Sequence, residues 1–201
     1  IRFSTSHPNE MNDALIDCFK NIDKLAKMIH LPIQAGSDRV LSAMKRNYTT
    51  LEYKSIIRKL REKCPDISIT SDFIVGFPTE TIKDFNSTKL LMKELEFDYS
   101  YSFIYSPRPG TPASYLEDLT PHEQKLERLH DLQTENIYQG EIFTKKMLGT
   151  MQRVLIDSMS KRKAGIFLGK TDNNRVVEIE GDKALLNQFV KVKIDKILDK
   201  N

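Results

Sequence analysis

Asp72 is the residue in this sequence whose position most clearly indicates chemistry. It lies inside an apolar run, residues 67–75, that is rich in β-branched side chains and is typical of a buried strand. Residues 76–78, Gly-Phe-Pro, then break the strand. Burying an unpaired carboxylate is costly, so Asp72 must be paired or used. A structural role, with backbone amides or an arginine holding the carboxylate, and a ligand-binding role are both open at this point.

Polar residues follow other strand-like segments in the same way. Gln34 and Ser37 come after the second such segment, and Arg108 comes after the fourth. In parallel α/β folds the carboxyl ends of the strands meet at one edge, where ligands bind. These three side chains and Asp72 therefore predict a ligand site at that edge. Helix capping alone explains Ser37 but explains the other three residues poorly.

Strand-like and helical segments alternate about four times before residue 145, which predicts a parallel sheet or part of a (β/α) barrel. The predicted strands cover residues 1–5, 30–34, 67–75 and 99–105. The predicted helix caps are Ser37, Thr50, Thr81 and Thr120.

The pattern changes after residue 146 to short strands separated by turns, which is typical of a small all-β barrel. We therefore predict two domains, residues 1–145 and residues 146–201, with the last strand of the second incomplete. The predicted strands of the second domain cover residues 151–157, 166–171, 175–179 and 189–197.

Charge is distributed unevenly along the chain. Residues 145–201 contain 13 Lys and Arg against 7 Asp and Glu, a net charge of +6. The first 144 residues contain 18 against 21, a net charge of −3. A basic module on a mildly acidic body predicts a surface that faces nucleic acid, with a solvated basic surface as the alternative. The turn at residues 161–163 is fully basic, and Lys170 and Arg175 lie near it in sequence, a cluster that can follow phosphates.

The remaining composition argues against two other classes of protein. No apolar run approaches the roughly 20 residues that a membrane-spanning helix needs. The two cysteines, Cys18 and Cys64, are far apart in a lysine-rich chain. Such sparse cysteines fit a reducing cytoplasm better than a disulfide scaffold, so we predict a cytoplasmic protein that does not contact a membrane.

Three motifs and a fourth segment resemble one enzyme family, the radical S-adenosylmethionine (SAM) methylthiotransferases. The motifs are HLPIQAGS at residues 30–37, SDFIVGFPTET at 71–81 and SFIYSPRPGTPA at 102–113. The fourth segment, GKTDNNRVV at residues 169–177, resembles the TRAM domain, an RNA-binding β-barrel. The resemblance extends from residue 1 to about residue 198. It implies an α/β fold in which part of a radical SAM barrel is followed by a small TRAM barrel.

The resemblance implies an enzyme that adds a methylthio group to C2 of N6-isopentenyladenosine next to the anticodon of tRNA. It also implies SAM, two [4Fe-4S] clusters held by cysteine thiolates, and an electron donor such as flavodoxin or ferredoxin. The full-length enzyme is expected to be a monomer. Alternatives are a sibling enzyme that acts on threonylcarbamoyl-adenosine in tRNA or on a ribosomal protein aspartate, and a non-catalytic RNA-binding remnant. A conventional barrel enzyme is less favoured, because His7 and Asp72 form only a weak candidate acid–base pair.

The sequence departs from the family in its cysteines. The family's radical SAM cluster needs C-x₃-C-x₂-C, and neither Cys18 nor Cys64 belongs to such a motif. We therefore expect a cluster-binding half before Ile1, or a split gene, and no metal site or catalytic residue within this chain. The chain alone is expected to be inactive. Because half of a barrel exposes strand edges and an apolar interior, it is also expected to be poorly soluble or partly molten.

Position relative to the family motifs gives the candidate binding residues. For SAM they are Gln34, Ser37, Asp72, Val75 and Gly76, the last two from a segment similar to the G-x-I-x-G-x-x-E pattern. Arg108 is the candidate for contact with tRNA outside the second domain. The candidates for RNA contact within the TRAM-like segment are Arg153, Lys161, Arg162, Lys163, Lys170, Asn174 and Arg175.

Overall fold

A computed structural model describes residues 1–5 and 7–198. The first unit is built on a parallel sheet in the order β1-β2-β3, and these strands cover Met28–His30, Ser68–Val75 and Tyr99–Ile104. The strand predicted at residues 1–5 is reduced to a single parallel bridge between Ser4 and His30. Ser6 and residues 199–201 lie outside the described residues, and the incompleteness of the last strand stays a prediction.

Five α-helices accompany the sheet in the described part of the chain. They are α1 (Asp13–Asn21), α2 (Asp38–Ala43), α3 (Thr50–Lys63), α4 (Ile82–Leu95) and α5 (His122–Lys146).

Local capping chemistry explains where these helices begin. Ser37 caps α2 and Thr81 caps α4, as predicted. The prediction of Thr50 as the cap of α3 is wrong by one residue, because the carboxylate of Glu52 reaches back to the backbone N–H of Thr49, which is the cap. Thr120 does not cap α5, because Pro121 has an extended ψ of 146° and itself occupies the cap position.

The two faces of the parallel sheet have different environments. Ile69, Phe73 and Val75 of β2 are almost fully buried and belong to the main hydrophobic core with residues of the helices. Side chains alternate across a strand, so Thr70 and Asp72 lie on the opposite face, which we call the inner face. The aromatic residues of β3 on this face, Tyr99, Tyr101 and Phe103, are each about half exposed.

Helix α5 packs against the other face of the edge strand β3. The side-chain oxygen of Asn136 accepts hydrogen bonds from the backbone N–H and the hydroxyl of Ser100, at 2.7 and 3.2 Å. The amide nitrogen of Gln139 donates to the carbonyl of Met92 in α4 at 3.0 Å. These buried contacts fix α5 to the sheet, and α5 in turn leads into the second unit.

The second unit is a four-stranded antiparallel sheet in the order β6-β5-β4-β7. Its core consists of Val154, Ile156 and Phe167, against which valines of β6 and β7 pack. The α/β class followed by a small all-β unit is thus confirmed. The strands are β4 (Met151–Met159), β5 (Ile166–Thr171), β6 (Val176–Glu180) and β7 (Phe189–Lys193).

A buried ion pair joins the two units at the amino end of β3. Arg175, just before β6, donates from both Nη atoms to the two carboxylate oxygens of Asp98, at 2.9 and 2.5 Å. Its Nε donates to the hydroxyl of Thr144 at 3.1 Å, and Nη2 also lies 3.3 Å from the carbonyl of Gly140 in α5. The side chain of Asp98 is only 3% exposed. The second unit is therefore held against the amino ends of the parallel strands, whereas the predicted ligand site lies at their carboxyl ends.

Two further arginines make hydrogen bonds across this contact between the two units, which we call the joint. Arg153 of β4 donates to the carbonyl of Asp23 at 2.6 Å and binds Asp172 with both oxygens of that carboxylate. Arg2 donates to the carbonyl of Thr171 at 2.5 Å. Because guanidinium groups make several hydrogen bonds in a fixed plane, these contacts define the orientation of the second unit.

We predict that R175M lowers the free energy of unfolding by about 3 kcal/mol, because it leaves the carboxylate of Asp98 buried without its cation. Chemical denaturation of the variant against the wild-type chain measures this loss. K163M, which removes the more exposed ion pair between Lys163 and Glu178, is the control and should cost less than about 1 kcal/mol.

A double-mutant cycle with D98N separates the pair from its surroundings. We expect R175M and D98N to couple strongly, so that the double variant loses clearly less than the sum of the single losses. Additive losses would contradict the importance of this ion pair.

Candidate functional site

A histidine–aspartate pair lies on the inner face near the carboxyl end of β2. The carboxylate of Asp72 is 3.4 Å from Nε2 of His30, and each side chain is about a quarter exposed. Nδ1 of His30 is 2.9 Å from the hydroxyl of Thr70, and the ring lies edge-on to Tyr101. Asp72 is therefore paired, and its partner was not among the sequence-predicted residues. His7, the partner weighed from sequence, instead packs edge-on against Tyr48.

Gln34 lies beside this pair in a strained backbone conformation. Its φ of +78° is in the left-handed region, which is unfavourable for a residue with a long side chain. Its N–H donates to the carbonyl of Asp72 at 2.9 Å, and its carbonyl accepts from the N–H of Ile74 at 2.8 Å. Its side-chain amide makes no hydrogen bond with the described residues. Strain of this kind is concentrated at ligand sites, which supports a binding role for Gln34.

The other three predicted SAM contacts are occupied by internal interactions. The hydroxyl of Ser37 donates to the carboxylate of Asp84 at 2.6 Å while it caps α2. Val75 is fully buried, and the N–H of Gly76 donates to the carboxylate of Glu80. The structure thus brings the backbone of Gln34 next to that of Asp72, whereas these three residues make internal contacts near the same end of the sheet.

Gly76 is required by its surroundings. Its φ of +65° favours glycine, and a Cβ there would lie 2.5 Å from Cγ of Lys125 in α5. Arg128, one helical turn further, places Nη1 3.3 Å from both the carboxylate and the carbonyl oxygen of Glu80. Burial raises the pKa of Glu80, and the charge of Arg128 opposes this. The loop after β2 is therefore fixed to the helix that leads into the second unit.

A second carboxylate fixes the far end of that loop. Burial of Asp84 disfavours its charge, but hydrogen bonds from Arg39, Ser37 and Thr81 prevail and hold its pKa well below the ordinary value of 3.8. The Arg39 guanidinium also donates to the carbonyl of Thr79, whose φ is +76°. These contacts hold the loop after β2 in one conformation at the carboxyl ends of the parallel strands, which we call the carboxyl edge.

The predicted RNA contacts fall into two groups in the structure. Lys161, Arg162, Lys163 and Lys170 are exposed, and of these only Lys163 has an ion pair in the described part of the chain. Arg153, Asn174 and Arg175 face the joint between the units, where Asn174 accepts a hydrogen bond from Arg2. Arg108 is exposed on the loop between β3 and α5.

The comparisons with known proteins agree with this architecture. A profile of the radical SAM superfamily matches residues 1–92, and a TRAM domain profile matches residues 145–200. The tRNA-2-methylthio-N(6)-dimethylallyladenosine synthase of Methylobacillus flagellatus is 60% identical over 98% of the chain. The proteins of the same name from Nitrosospira multiformis and Nitrosomonas eutropha are 54% and 53% identical over 98%. The chain is thus similar to these synthases through both of its structural units, and its first unit is similar to radical SAM proteins.

The chain covers only part of these relatives, namely 45%, 42% and 44% of their respective lengths. Among solved structures, coproporphyrinogen III oxidase (HemN) from Escherichia coli, described as a radical SAM enzyme, matches with a TM-score of 0.57 at 16% identity. That match covers 92% of this chain and 52% of HemN, and it shows the fold alone. No helix within residues 1–5 and 7–198 is long and apolar enough to cross a membrane.

The match to the radical SAM profile implies SAM and iron–sulfur clusters, and the residues present fit these two cofactors differently. Gln34, with its free amide, and Asp72 fit a polar ligand such as SAM at the carboxyl edge. The two cysteines do not fit a cluster, because Cys18 lies on α1 and Cys64 at the end of α3, both away from that edge. Burial also raises the pKa of Cys64 and so disfavours the thiolate that binds iron. Within the described residues no group of three His, Cys, Asp or Glu side chains could hold a metal.

The buried pair of Glu80 and Arg128 predicts a pH-dependent stability. Because the pKa of Glu80 is raised above 4.5, the folded chain binds more protons than the unfolded chain between pH 4.5 and the raised value. This group therefore lowers the free energy of unfolding as the pH rises through that range. R128M removes the cation that favours the charged form of Glu80. We therefore expect the free energy of unfolding to fall more steeply with pH, so that the variant costs about 3 kcal/mol at pH 8 and clearly less at pH 5.

Urea denaturation of R128M and wild type at both pH values measures the difference. The control is the double variant E80Q/R128M, in which the additional pH dependence should disappear because no carboxylate is left to ionise. An equal loss for R128M at pH 5 and pH 8 would contradict this role of Glu80.

Proposed function

We propose that this chain is part of a tRNA methylthiotransferase that adds a methylthio group to C2 of N6-dimethylallyladenosine next to the anticodon. The observation that carries the proposal is the identity of 53–60% to three synthases of that name, which extends through both structural units. The two units correspond to the two requirements of such an enzyme, a site for radical chemistry and a module that binds RNA.

The carboxyl edge of the parallel sheet is proposed as the SAM site. Gln34 would bind through its free amide, and Asp72 would accept a hydrogen bond from SAM or from the substrate base. His30 holds the carboxylate of Asp72 on the inner face, where the carboxylate can accept such a hydrogen bond. When bound, SAM supplies the methyl group and the radical that removes hydrogen from an unactivated carbon. The loop behind the edge, fixed by Glu80 and Arg128, keeps this site in place.

The iron–sulfur clusters are assigned to another part of the enzyme. Since the two cysteines here do not fit, we propose that the ligands of two [4Fe-4S] clusters come from the region of the relatives that this chain does not match. An electron donor such as flavodoxin or ferredoxin, a monomeric full-length enzyme and a cytoplasmic location stay predictions.

The TRAM domain suggests RNA binding, and we propose that tRNA is the RNA. The basic turn at residues 161–163 and Lys170 are free to meet phosphates, and Arg108 lies on the loop next to the carboxyl edge. Arg153, Asn174 and Arg175 are proposed to act on RNA binding through the orientation of the TRAM domain, because their side chains contact the joint. Removal of Arg175 should then leave the salt dependence of tRNA binding unchanged.

A second candidate is an RNA-binding protein without catalysis, which the match to a TRAM domain and the exposed basic turn at residues 161–163 also support. The sibling reactions, on threonylcarbamoyl-adenosine or a ribosomal protein aspartate, use the same chemistry and are separated from the proposed one only by their product.

A chimera tests the proposed reaction. The region of the Methylobacillus synthase that matches this chain over 198 residues is replaced by this chain, and the chimera is expressed in a bacterium that lacks its own synthase. Mass spectrometry of tRNA nucleosides should then show 2-methylthio-N6-dimethylallyladenosine. Methylthiolated threonylcarbamoyl-adenosine or ribosomal protein would indicate a sibling enzyme. A stable chimera that binds tRNA without forming any of these products would favour the non-catalytic candidate.

In the same chimera we expect D72N to lower the rate of product formation roughly 10- to 150-fold, the loss expected for one hydrogen bond to a charged group. Its affinity for tRNA should change much less than the rate, because most of the proposed RNA contacts lie in the TRAM domain and not on the inner face of the sheet. D66N is the matched control. This exposed aspartate lies at the amino end of β2, and its one ion pair within the described residues is with Lys27 at 3.9 Å. If D72N keeps full activity, Asp72 does not contribute to the proposed SAM site.

A further inference from the structure

The outer face of the TRAM sheet carries an exposed aromatic side chain. Phe189, the first residue of β7, is 63% exposed. It pairs with Leu155 of β4, which in turn pairs with Lys170 of β5. Directly paired residues point to the same side of a sheet, so these three side chains form one row on the face opposite the core. A phenylalanine exposed to this degree contributes little to the core of the domain.

Cations surround this ring. Lys191 and Lys193 follow Phe189 at alternate positions of β7 and are therefore on the same face, opposite Arg153 and Met151 of β4. Lys170, Lys191 and Lys193 are exposed and have no ion pair within residues 1–5 and 7–198. We call Lys170, Phe189, Lys191 and Lys193 the β7 patch.

Arg153 covers part of the ring of Phe189. Its guanidinium carbon is 5.5 Å from the centre of the ring, a cation–π distance. Because Asp172 binds this guanidinium with both oxygens, the arginine is held in place while much of the ring stays in contact with solvent. The aromatic surface is thus rigid and accessible at the same time.

Some of the acidic groups on this side of the sheet are neutralised or lie away from the patch, whereas Asp157 of β4 and Asp195, two residues after Lys193, are exposed and have no ion pair within the described residues. Asp172 is bound by Arg153, and Glu178 is bound by Lys163 at 2.6 Å. Glu178 and Glu180 both belong to β6, the strand at the edge of the sheet opposite β7. The patch therefore places three lysines without ion pairs next to an aromatic surface, and these lysines outnumber the two exposed carboxylates of Asp157 and Asp195.

We propose that Phe189 is a stacking platform for an unpaired nucleobase of RNA, and that Lys170, Lys191 and Lys193 bind the phosphates on either side of that base. Aromatic rings with flanking cations bind single-stranded nucleic acid in this way, because every base has a π-face and every linkage has a negative charge. Lysine is depleted from protein–protein interfaces, so the abundance of lysine here favours RNA over a protein partner. The inference rests on the proposed function, which makes tRNA the RNA concerned.

Substitution of the ring separates stacking from charge. F189L keeps an apolar side chain and all the cations, and it should weaken the binding of an anticodon stem–loop RNA to the 201-residue chain about 5- to 150-fold. The dependence of its binding constant on salt should equal that of wild type, since no charge is lost. In contrast, K191M and K193M should each reduce the slope of log K against log salt by about 0.7. Two variants serve as controls. Y138L alters an exposed aromatic residue of α5, and K83M alters a lysine of α4. Neither should change the binding constant for RNA or its dependence on salt.

A fluorescent variant reports stacking directly. The chain contains no tryptophan, so F189W introduces a single indole at the platform. Oligoadenylate at saturating concentration should quench its fluorescence. Heparin, a polyanion without bases, should bind without comparable quenching, and its affinity should be the same for F189L and wild type.

The outcomes separate this inference from the proposed function. If the wild-type chain binds the stem–loop and F189L binds it equally well, or if RNA leaves the fluorescence of F189W unchanged, the platform is refuted while the proposed RNA binding stands. If F189L weakens heparin and RNA binding equally, the patch is a general polyanion surface and the inference fails. If the wild-type chain does not bind RNA, or prefers anionic lipid vesicles, both the inference and the proposed role of the TRAM domain fail.

Discussion

The ion pair between Asp98 and Arg175 is the interaction on which the arrangement of this molecule depends. A carboxylate that is 3% exposed at the amino end of β3 needs a cation, and here the cation comes from the TRAM domain. Since Arg175 also binds Thr144 and the carbonyl of Gly140, one guanidinium holds the sheet, α5 and the TRAM domain together. The TRAM domain is thereby anchored at the amino ends of the strands. The carboxyl edge, with Gln34 and the pair of His30 and Asp72, is left open for a ligand.

Helix α5 connects these two ends physically. Its first half packs Lys125 against Gly76 and pairs Arg128 with Glu80, which fixes the loop behind the carboxyl edge. Its second half receives Arg175 from the TRAM domain. A displacement of this helix would thus disturb both the site proposed for SAM and the surface proposed for RNA. The proposed function requires that one base of a large RNA is placed at a reactive centre. Such a rigid connection favours its correct orientation, because misplacement by 1 Å can cost about a hundredfold in rate.

The parts of the structure that local chemistry determines were predictable from sequence. The β-branched run ending at Val75, the cap of α4 at Thr81 and the Gly-Phe-Pro turn all formed as predicted. The partner of Asp72 was missed because His30 reaches it only through the register of β1 against β2, which no local pattern encodes. Arg175 looked like a phosphate ligand because its partner Asp98 is 77 residues away in sequence. The alternating pattern of residues 189–197 predicts a strand and places Phe189, Lys191 and Lys193 on one face. It does not reveal that this face is exposed, because that depends on how the sheet packs.

We propose that this chain binds RNA through its TRAM domain, while the carboxyl edge of the parallel sheet stays accessible for the reaction. Hydrogen exchange of the chain with and without tRNA that contains N6-dimethylallyladenosine tests it most directly. The account predicts that tRNA protects the backbone amides of β7, of the facing part of β4 and of the turn at residues 161–163. It also predicts that the joint around Asp98 and Arg175 exchanges equally slowly in both states. Protection confined to the helices α3 and α4, with the TRAM domain unaffected, would contradict the account.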